Sequence, residues 1–132
     1  IGKKRSMNQD FVYASDQPVG NLKNLLIVAD GMGGHNAGDL ASRYTVQEML
    51  AYIKESEEDR PVPLLSMAIH HANEQVLEKA ESEKELEGMG TTLVAATKLY
   101  LPCLQHRIRC RYAICNTGQF CQSDRLSHFC LL

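Results

Sequence analysis

The feature that most constrains this chain is an unbroken apolar run at residues 25–29 (LLIVA) that stops at residues 30–34 (DGMGG). Five apolar residues without alternation are typical of a buried strand, so the sequence predicts a strand covered on both faces. A carboxylate at the end of such a strand is costly unless it meets a cation or hydrogen-bond donors. We therefore expect Asp30 to have a partner.

The glycines after Asp30 allow the backbone to approach a ligand closely, so Asp30 and a neighbouring carbonyl could hold a hard divalent cation such as Mg²⁺ or Mn²⁺. An isolated Asp-Gly pair is more often a turn in which Asp accepts backbone hydrogen bonds. A phosphate cradle at a helix N-terminus is a third interpretation, but the glycine spacing matches neither nucleotide-binding motif. The residues alone leave the turn and the metal site open.

Two further runs of strand formers lie at residues 11–14 and 91–97, and turn residues at 15–21 predict a hairpin after the first. Apolar residues with helical spacing predict one helix around Val46 and Ile53 and another around Leu65 and Val76, separated by prolines. The order strand, strand, helix, helix, strand favours an α+β fold.

Charge and cysteine content change together near residue 98. Residues 1–97 carry a net charge of −6 and no cysteine, whereas residues 98–132 carry +4 and all five cysteines. We interpret residues 98–132 as a divergent or frame-shifted Cys-rich tail. A zinc module is the alternative, although no paired Cys-x₂-Cys is present. Its candidate ligands are Cys103, His106, Cys110, Cys115, Cys121, His128 and Cys130.

The length of the apolar runs and the net charge indicate which classes of binding partner to expect. The longest apolar run is far shorter than the roughly 20 residues that a membrane-spanning helix needs, and no signal peptide is recognisable. The net charge of −2 offers no basic field for nucleic acid or anionic lipid. We therefore expect a cytoplasmic protein with neither nucleic-acid nor membrane partners.

Three segments carry a family resemblance: residues 5–10 (RSMNQD), 28–38 (VADGMGGHNAG) and 88–96 (GMGTTLVAA). In order and spacing they resemble the bacterial-type members of the PP2C (PPM) family, which are metal-dependent protein Ser/Thr phosphatases. The resemblance covers residues 2–97, about the first half of such a catalytic domain. It implies part of a four-layer αββα sandwich, with two antiparallel sheets flanked by pairs of helices and a two-metal site at one end.

The resemblance also implies roles for individual residues. Asp30 would bridge two Mn²⁺ or Mg²⁺ ions, the Gly31 carbonyl would be a further ligand, and Asp10 would be the N-terminal acidic residue of the cluster. Arg5 would grip the substrate phosphate, a task that suits its planar, two-pronged guanidinium.

Some positions depart from the family or fall outside its motifs. Gln9 stands where many members have Glu, and a neutral amide is a poorer cation ligand. Met32 replaces a His that is assigned as a general acid in animal members, so proton delivery would depend on water. We interpret His35 and the pair at positions 70 and 71 as structural rather than catalytic or metal-binding.

The Gly-Asp-Ser-Arg motif and the later aspartates of the family are absent, and two aspartates cannot neutralise two divalent ions. The resemblance therefore implies a phosphatase of phosphoSer/phosphoThr proteins, opposing a Ser/Thr kinase, and the missing motifs predict that it is truncated and inactive in this form. The alternatives are a non-catalytic pseudophosphatase and a zinc-dependent binding module. A half-domain would expose sheet edges and an apolar face, so we expect it to aggregate.

Overall fold

The computed structural model describes residues 8–33, 37–98, 110–115 and 120–121, with side chains to residue 97. One antiparallel sheet has the strand order β1-β2-β3-β4-β5. Its strands are β1 (Asp10–Ser15), β2 (Leu25–Met32), β3 (Gly90–Lys98), β4 (Cys110–Cys115) and β5 (Phe120–Cys121). Two helices, α1 (Ala37–Glu55) and α2 (Pro61–Ser82), connect β2 to β3, followed by a short 3₁₀ turn at Lys84–Leu86. The predicted α+β fold is confirmed.

The helices form where the apolar spacing predicts them. Val46, Met49 and Ile53 are buried on α1, which packs against the sheet and against α2. Pro61 opens α2, where its missing N–H costs no intrahelical hydrogen bond and its fixed φ suits the first turn. The helical pair therefore covers one face of the sheet.

The hairpin between β1 and β2 is pinned to the end of α1. Gly20 has φ 55°, and a Cβ there would come 2.2 Å from the Ile53 carbonyl oxygen. The neighbouring Asn21 donates from Nδ2 to the carbonyls of Ser56, at 3.2 Å, and Glu58, at 3.0 Å. The hairpin that positions β1 is thus held in place by the helical layer.

Burial alternates along β2. Leu25, Ile27 and Ala29 are at most 2% exposed, whereas Leu26 and Val28 are 44% and 41% exposed. The prediction that both faces of this strand are covered is therefore wrong for the described residues, because the helices pack on only one side. We call the opposite side, which carries Val12, Leu26, Val28 and Met32, the outer face.

The sheet continues into the segment that differs in charge and cysteine content. β4 pairs with β3, with a register shift between Thr97 and Lys98, and β5 pairs with β4. The sequence shows no alternating apolar period that would have predicted either strand. No helix within the described ranges combines the length and the apolarity needed to cross a lipid bilayer.

Candidate metal site

The two candidate carboxylates lie opposite each other in the sheet. Asp10, the first residue of β1, is the register partner of Asp30 in β2. Both residues are exposed. Side chains of directly paired residues project from the same side of an antiparallel ladder, so both carboxylates belong to the outer face.

The hydrogen-bond pattern sets how close the two side chains lie. The Gly31 amide donates to the Gln9 carbonyl at 3.0 Å, while the Asp10 amide donates to Asn8 Oδ1 at 3.2 Å. Because hydrogen-bonded and non-hydrogen-bonded pairs alternate along an antiparallel ladder, Asp10 and Asp30 form a non-hydrogen-bonded pair. This is the closer type, with Cα atoms about 4.5 Å apart, so one cation could bind both carboxylates.

Two hydroxyl groups of β3 hold the backbone of Asp30. Thr91 Oγ1 lies 3.0 Å from the Asp30 carbonyl oxygen and 2.9 Å from the Thr92 carbonyl oxygen, and Thr92 Oγ1 lies 3.5 Å from the Asp30 carbonyl oxygen. Sequence reasoning assigned these threonines only to a strand. Their contact with Asp30 follows from the sheet register, which pairs residues 30 and 31 with Thr92 and Thr91.

The glycine at position 31 is required by packing inside the protein. A Cβ there would come 1.9 Å from the Gly38 carbonyl oxygen and 2.8 Å from the Gln9 carbonyl oxygen. The end of β2 therefore contacts the first turn of α1 and the start of β1 with no room for a side chain. From the sequence, the glycines after Asp30 were expected to let the backbone approach a ligand closely. At Gly31 the structure shows a close approach to the protein's own backbone.

The donor chemistry of the Asp10–Asp30 pair fits a divalent cation. Like charges directly opposite each other in a ladder are unfavourable, and a cation bound by both would replace that repulsion with attraction. Carboxylate and carbonyl oxygens are the ligands that Mg²⁺ and Mn²⁺ prefer. Within the described part of the chain, no group of three or more His, Cys, Asp or Glu side chains could hold a metal. The pair therefore fits as one portion of an oxygen-ligand site.

The structure describes only some of the other candidate residues. Arg5, His35 and the side chains of the proposed zinc ligands are outside the described residues. Met32 is 53% exposed and follows Asp30 on the outer face. On α2, His71 Nε2 lies 3.2 Å from Glu48 Oε2 of α1 and its ring stacks on Tyr52, which supports the structural interpretation of this histidine.

Comparison with known proteins identifies the family of the chain. The Protein phosphatase 2C family model matches residues 3–100. The serine/threonine phosphatase stp of Listeria welshimeri is 41% identical, over 72% of this chain and 38% of its own length. The catalytic domain of the phosphatase PstP, solved in complex with two manganese ions, is similar with a TM-score of 0.62 and 34% identity. That match covers 75% of this chain and 40% of the PstP chain.

A third similar structure is Stp1 from Staphylococcus aureus, with a TM-score of 0.60 and 31% identity over 75% of this chain and 39% of its own. The chain belongs to the protein phosphatase 2C family. The resemblance noted from the three motifs and the incomplete PP2C-like fold are thereby confirmed. The chain spans about two fifths of the length of the relatives described here.

Proposed function

We propose that this chain carries one portion of the catalytic site of a PP2C-type protein phosphatase that hydrolyses phosphoserine and phosphothreonine. The observation that carries the proposal is the register of β1 and β2, in which Asp10 and Asp30 are directly opposite each other. Family membership supplies the reaction class, and the paired carboxylates supply a physical reason for metal dependence.

Each residue would have a distinct task. Asp10, Asp30 and the Gly31 carbonyl would hold metal, and Thr91 would fix the backbone that carries Asp30. A pair of divalent ions held there would lower the pKa of a bound water and stabilise charge on the phosphoryl oxygens. Arg5 would orient the substrate phosphate through two parallel hydrogen bonds. Met32 cannot donate a proton, so protonation of the leaving oxygen would fall to water.

The metal is proposed to be Mn²⁺ or Mg²⁺, with two ions in a complete family site. The manganese ions in the related PstP structure support this class of metal. Phosphorylated proteins would be the substrates, and a Ser/Thr kinase would supply them. A cytoplasmic location stays a prediction from the sequence.

The division into a phosphatase segment at residues 1–97 and a separate tail at 98–132 also stays a proposal. If the coding DNA gained or lost a base near codon 98, another reading frame should encode a Gly-Asp-Ser-Arg strand and later aspartates. Translating the DNA in three frames tests this proposal. It fails if neither alternative frame resembles a phosphatase, or if the tail resists protease and retains stoichiometric zinc.

A chimera tests the proposed function. Residues 1–96 would replace the matching segment of a complete relative, and hydrolysis of a phosphopeptide would be measured with Mn²⁺. We expect activity that Asp30→Asn reduces far more than Arg5→Ala, since Asp30 supports metal whereas Arg5 mainly positions substrate. Asp16→Asn, at an exposed aspartate in the loop after β1, is the matched control. Equal activity in the Asp30→Asn and Asp16→Asn chimeras would contradict the proposal.

The 132-residue chain alone is expected to be a very poor phosphatase even with millimolar Mn²⁺. Two carboxylates balance the charge of one divalent ion, and the described residues place no third acidic ligand with them. Phosphopeptide turnover by the purified chain is the measurement. Manganese-dependent turnover that is abolished by Asp30→Asn would overturn this expectation.

A further inference from the structure

Gln9 joins the three segments that surround the Asp10–Asp30 pair. Its backbone carbonyl accepts the Gly31 amide at 3.0 Å, next to the paired aspartates. Its side-chain Nε2 donates to the Gly33 carbonyl at 3.4 Å, in the turn that follows β2. One residue thus contacts both the end of β2 and the turn beyond it.

The first turn of α1 closes on the same side chain. A Cβ at Gly38 would come 2.6 Å from Gln9 Cδ, 2.7 Å from Oε1 and 2.9 Å from Nε2. A Cβ at Gly31 would in turn come 1.9 Å from the Gly38 carbonyl oxygen. The Gln9 amide, Gly38 and Gly31 therefore interlock, with no room for a side chain at either glycine.

Strand alternation separates Gln9 from the carboxylates. Neighbouring residues of an extended strand project to opposite sides, and Asp10 projects to the outer face while Gln9 contacts the first turn of the helix. The amide also does what a carboxylate cannot, because it donates a hydrogen bond to a carbonyl oxygen. These contacts favour a role for Gln9 in positioning the metal ligands over a role as a metal ligand itself.

We propose that Gln9 is a positioning residue, whose amide clamps the turn after β2 against α1 and so fixes where Asp30 presents its carboxylate to the metal. The inference rests on the proposed function, because it takes Asp10 and Asp30 as ligands. Removing groups that orient metal ligands typically lowers metal affinity roughly 10- to 100-fold without removing a ligand.

Substitution of Gln9 by Ala and by Glu separates positioning from ligation. Mn²⁺ affinity of the 132-residue chain would be measured from the loss of the free-ion signal in electron paramagnetic resonance. We expect Gln9→Ala and Gln9→Glu both to weaken binding roughly 10-fold. Gln17→Ala, at an exposed glutamine of the β1–β2 loop, should leave affinity unchanged. Tighter binding in Gln9→Glu than in the parent would overturn the proposal, because it would mark position 9 as a ligand.

A second pair of variants tests the interlock. Gly38→Ala should weaken Mn²⁺ binding by displacing the Gln9 amide, and it should have no further effect when Gln9 is already Ala. If the effects of the two substitutions on Mn²⁺ affinity add up in the double variant, the two residues act independently, which would contradict the interlock.

A metal-free readout distinguishes failure of this inference from failure of the proposed function. Hydrogen exchange of the Gly31 amide should accelerate roughly 10-fold in Gln9→Ala, while the Ile27 amide in the middle of β2 keeps the parent rate. If the parent chain binds no Mn²⁺, the ligand assignment falls, whereas accelerated exchange at Gly31 would still establish the clamp. Unchanged exchange at Gly31 would overturn the positioning role whatever the metal does.

Discussion

At the scale of single residues, the site depends on Gly31, because backbone atoms of the protein occupy the space that a side chain would need. Gly31 lies between the Gly38 and Gln9 carbonyl oxygens, with a virtual Cβ at 1.9 Å and 2.8 Å from them. Backbone atoms cannot move aside as the end of a side chain can, so these contacts fix the spacing between β2, β1 and α1. The position of Asp30 follows from that spacing.

Gly31→Ala is therefore expected to destabilise the chain by about 3 kcal/mol, because overpacking against backbone forces the strand and the helix apart. Gly90→Ala is the matched control in the neighbouring strand. There a Cβ would meet only the Met32 methyl at 3.8 Å, an ordinary contact. Urea unfolding of both variants provides the measurement. Similar midpoints for Gly31→Ala and the parent would show that the close approach is not required.

At the scale of elements, a bidentate salt bridge between two residues of the α1–α2 loop lies at the start of α2. Glu58 Oε1 accepts from the Arg60 amide at 3.0 Å and from Arg60 Nε at 2.9 Å, while Oε2 accepts from Nη2 at 2.8 Å. Hydrogen bonds from Arg60 lower the pKa of Glu58 to about 2. The same loop carries the Glu58 carbonyl that accepts from Asn21, so it also anchors the β1–β2 hairpin.

This lowered pKa predicts how the Glu58 contribution varies with pH. A carboxyl whose folded pKa is depressed stabilises the fold fully above its ordinary value of 4.5, and loses that contribution as pH falls through about 2. Glu58→Gln should therefore lower Tm at neutral pH, and the difference from the parent should vanish toward pH 2. Glu57→Gln at the adjacent exposed position is the control. A Tm difference that does not vary with pH would contradict stabilisation by the ionised Glu58–Arg60 salt bridge.

At the scale of the whole molecule, the sheet has one face under helices and one outer face that is apolar. Val12 is 58% exposed, and its register partner Val28 is 41% exposed. Exposed apolar patches of this kind mark surfaces that another layer or another molecule covers. The paired aspartates lie at one end of this outer face.

We expect the 132-residue chain to self-associate through the outer face and to bind a hydrophobic dye. Val12→Thr with Val28→Thr should reduce dye binding and the sedimentation coefficient, because both substitutions keep β-branched side chains while removing apolar surface. Gln47→Thr on α1, away from that face, is the control. A monodisperse monomer with a sharp, cooperative thermal transition would contradict this expectation.

The two helices and the strands β1 to β3 could be predicted from sequence because their signals are local, whereas the candidate metal ligands came from the family resemblance. Helical spacing marked α1 and α2, whereas β2 continues past the predicted break at Asp30 and ends at Met32. The one-sided burial of β2 could not be read from residues 25–29, since an apolar run has the same composition whether or not a second layer covers it. The roles of Thr91 and Gln9 depend on contacts with residues distant in the chain, which only the sheet register and the packing of α1 bring together.

The most direct test of the central claim, that Asp10 and Asp30 together bind a divalent metal, is Mn²⁺ titration of the 132-residue chain by electron paramagnetic resonance. Binding should weaken at least roughly 10-fold in both Asp10→Asn and Asp30→Asn, because each removes one of the two charged ligands. Asp16→Asn should bind as the parent does. Parent-like affinity in Asp30→Asn, or an equal loss in Asp16→Asn, would contradict the claim.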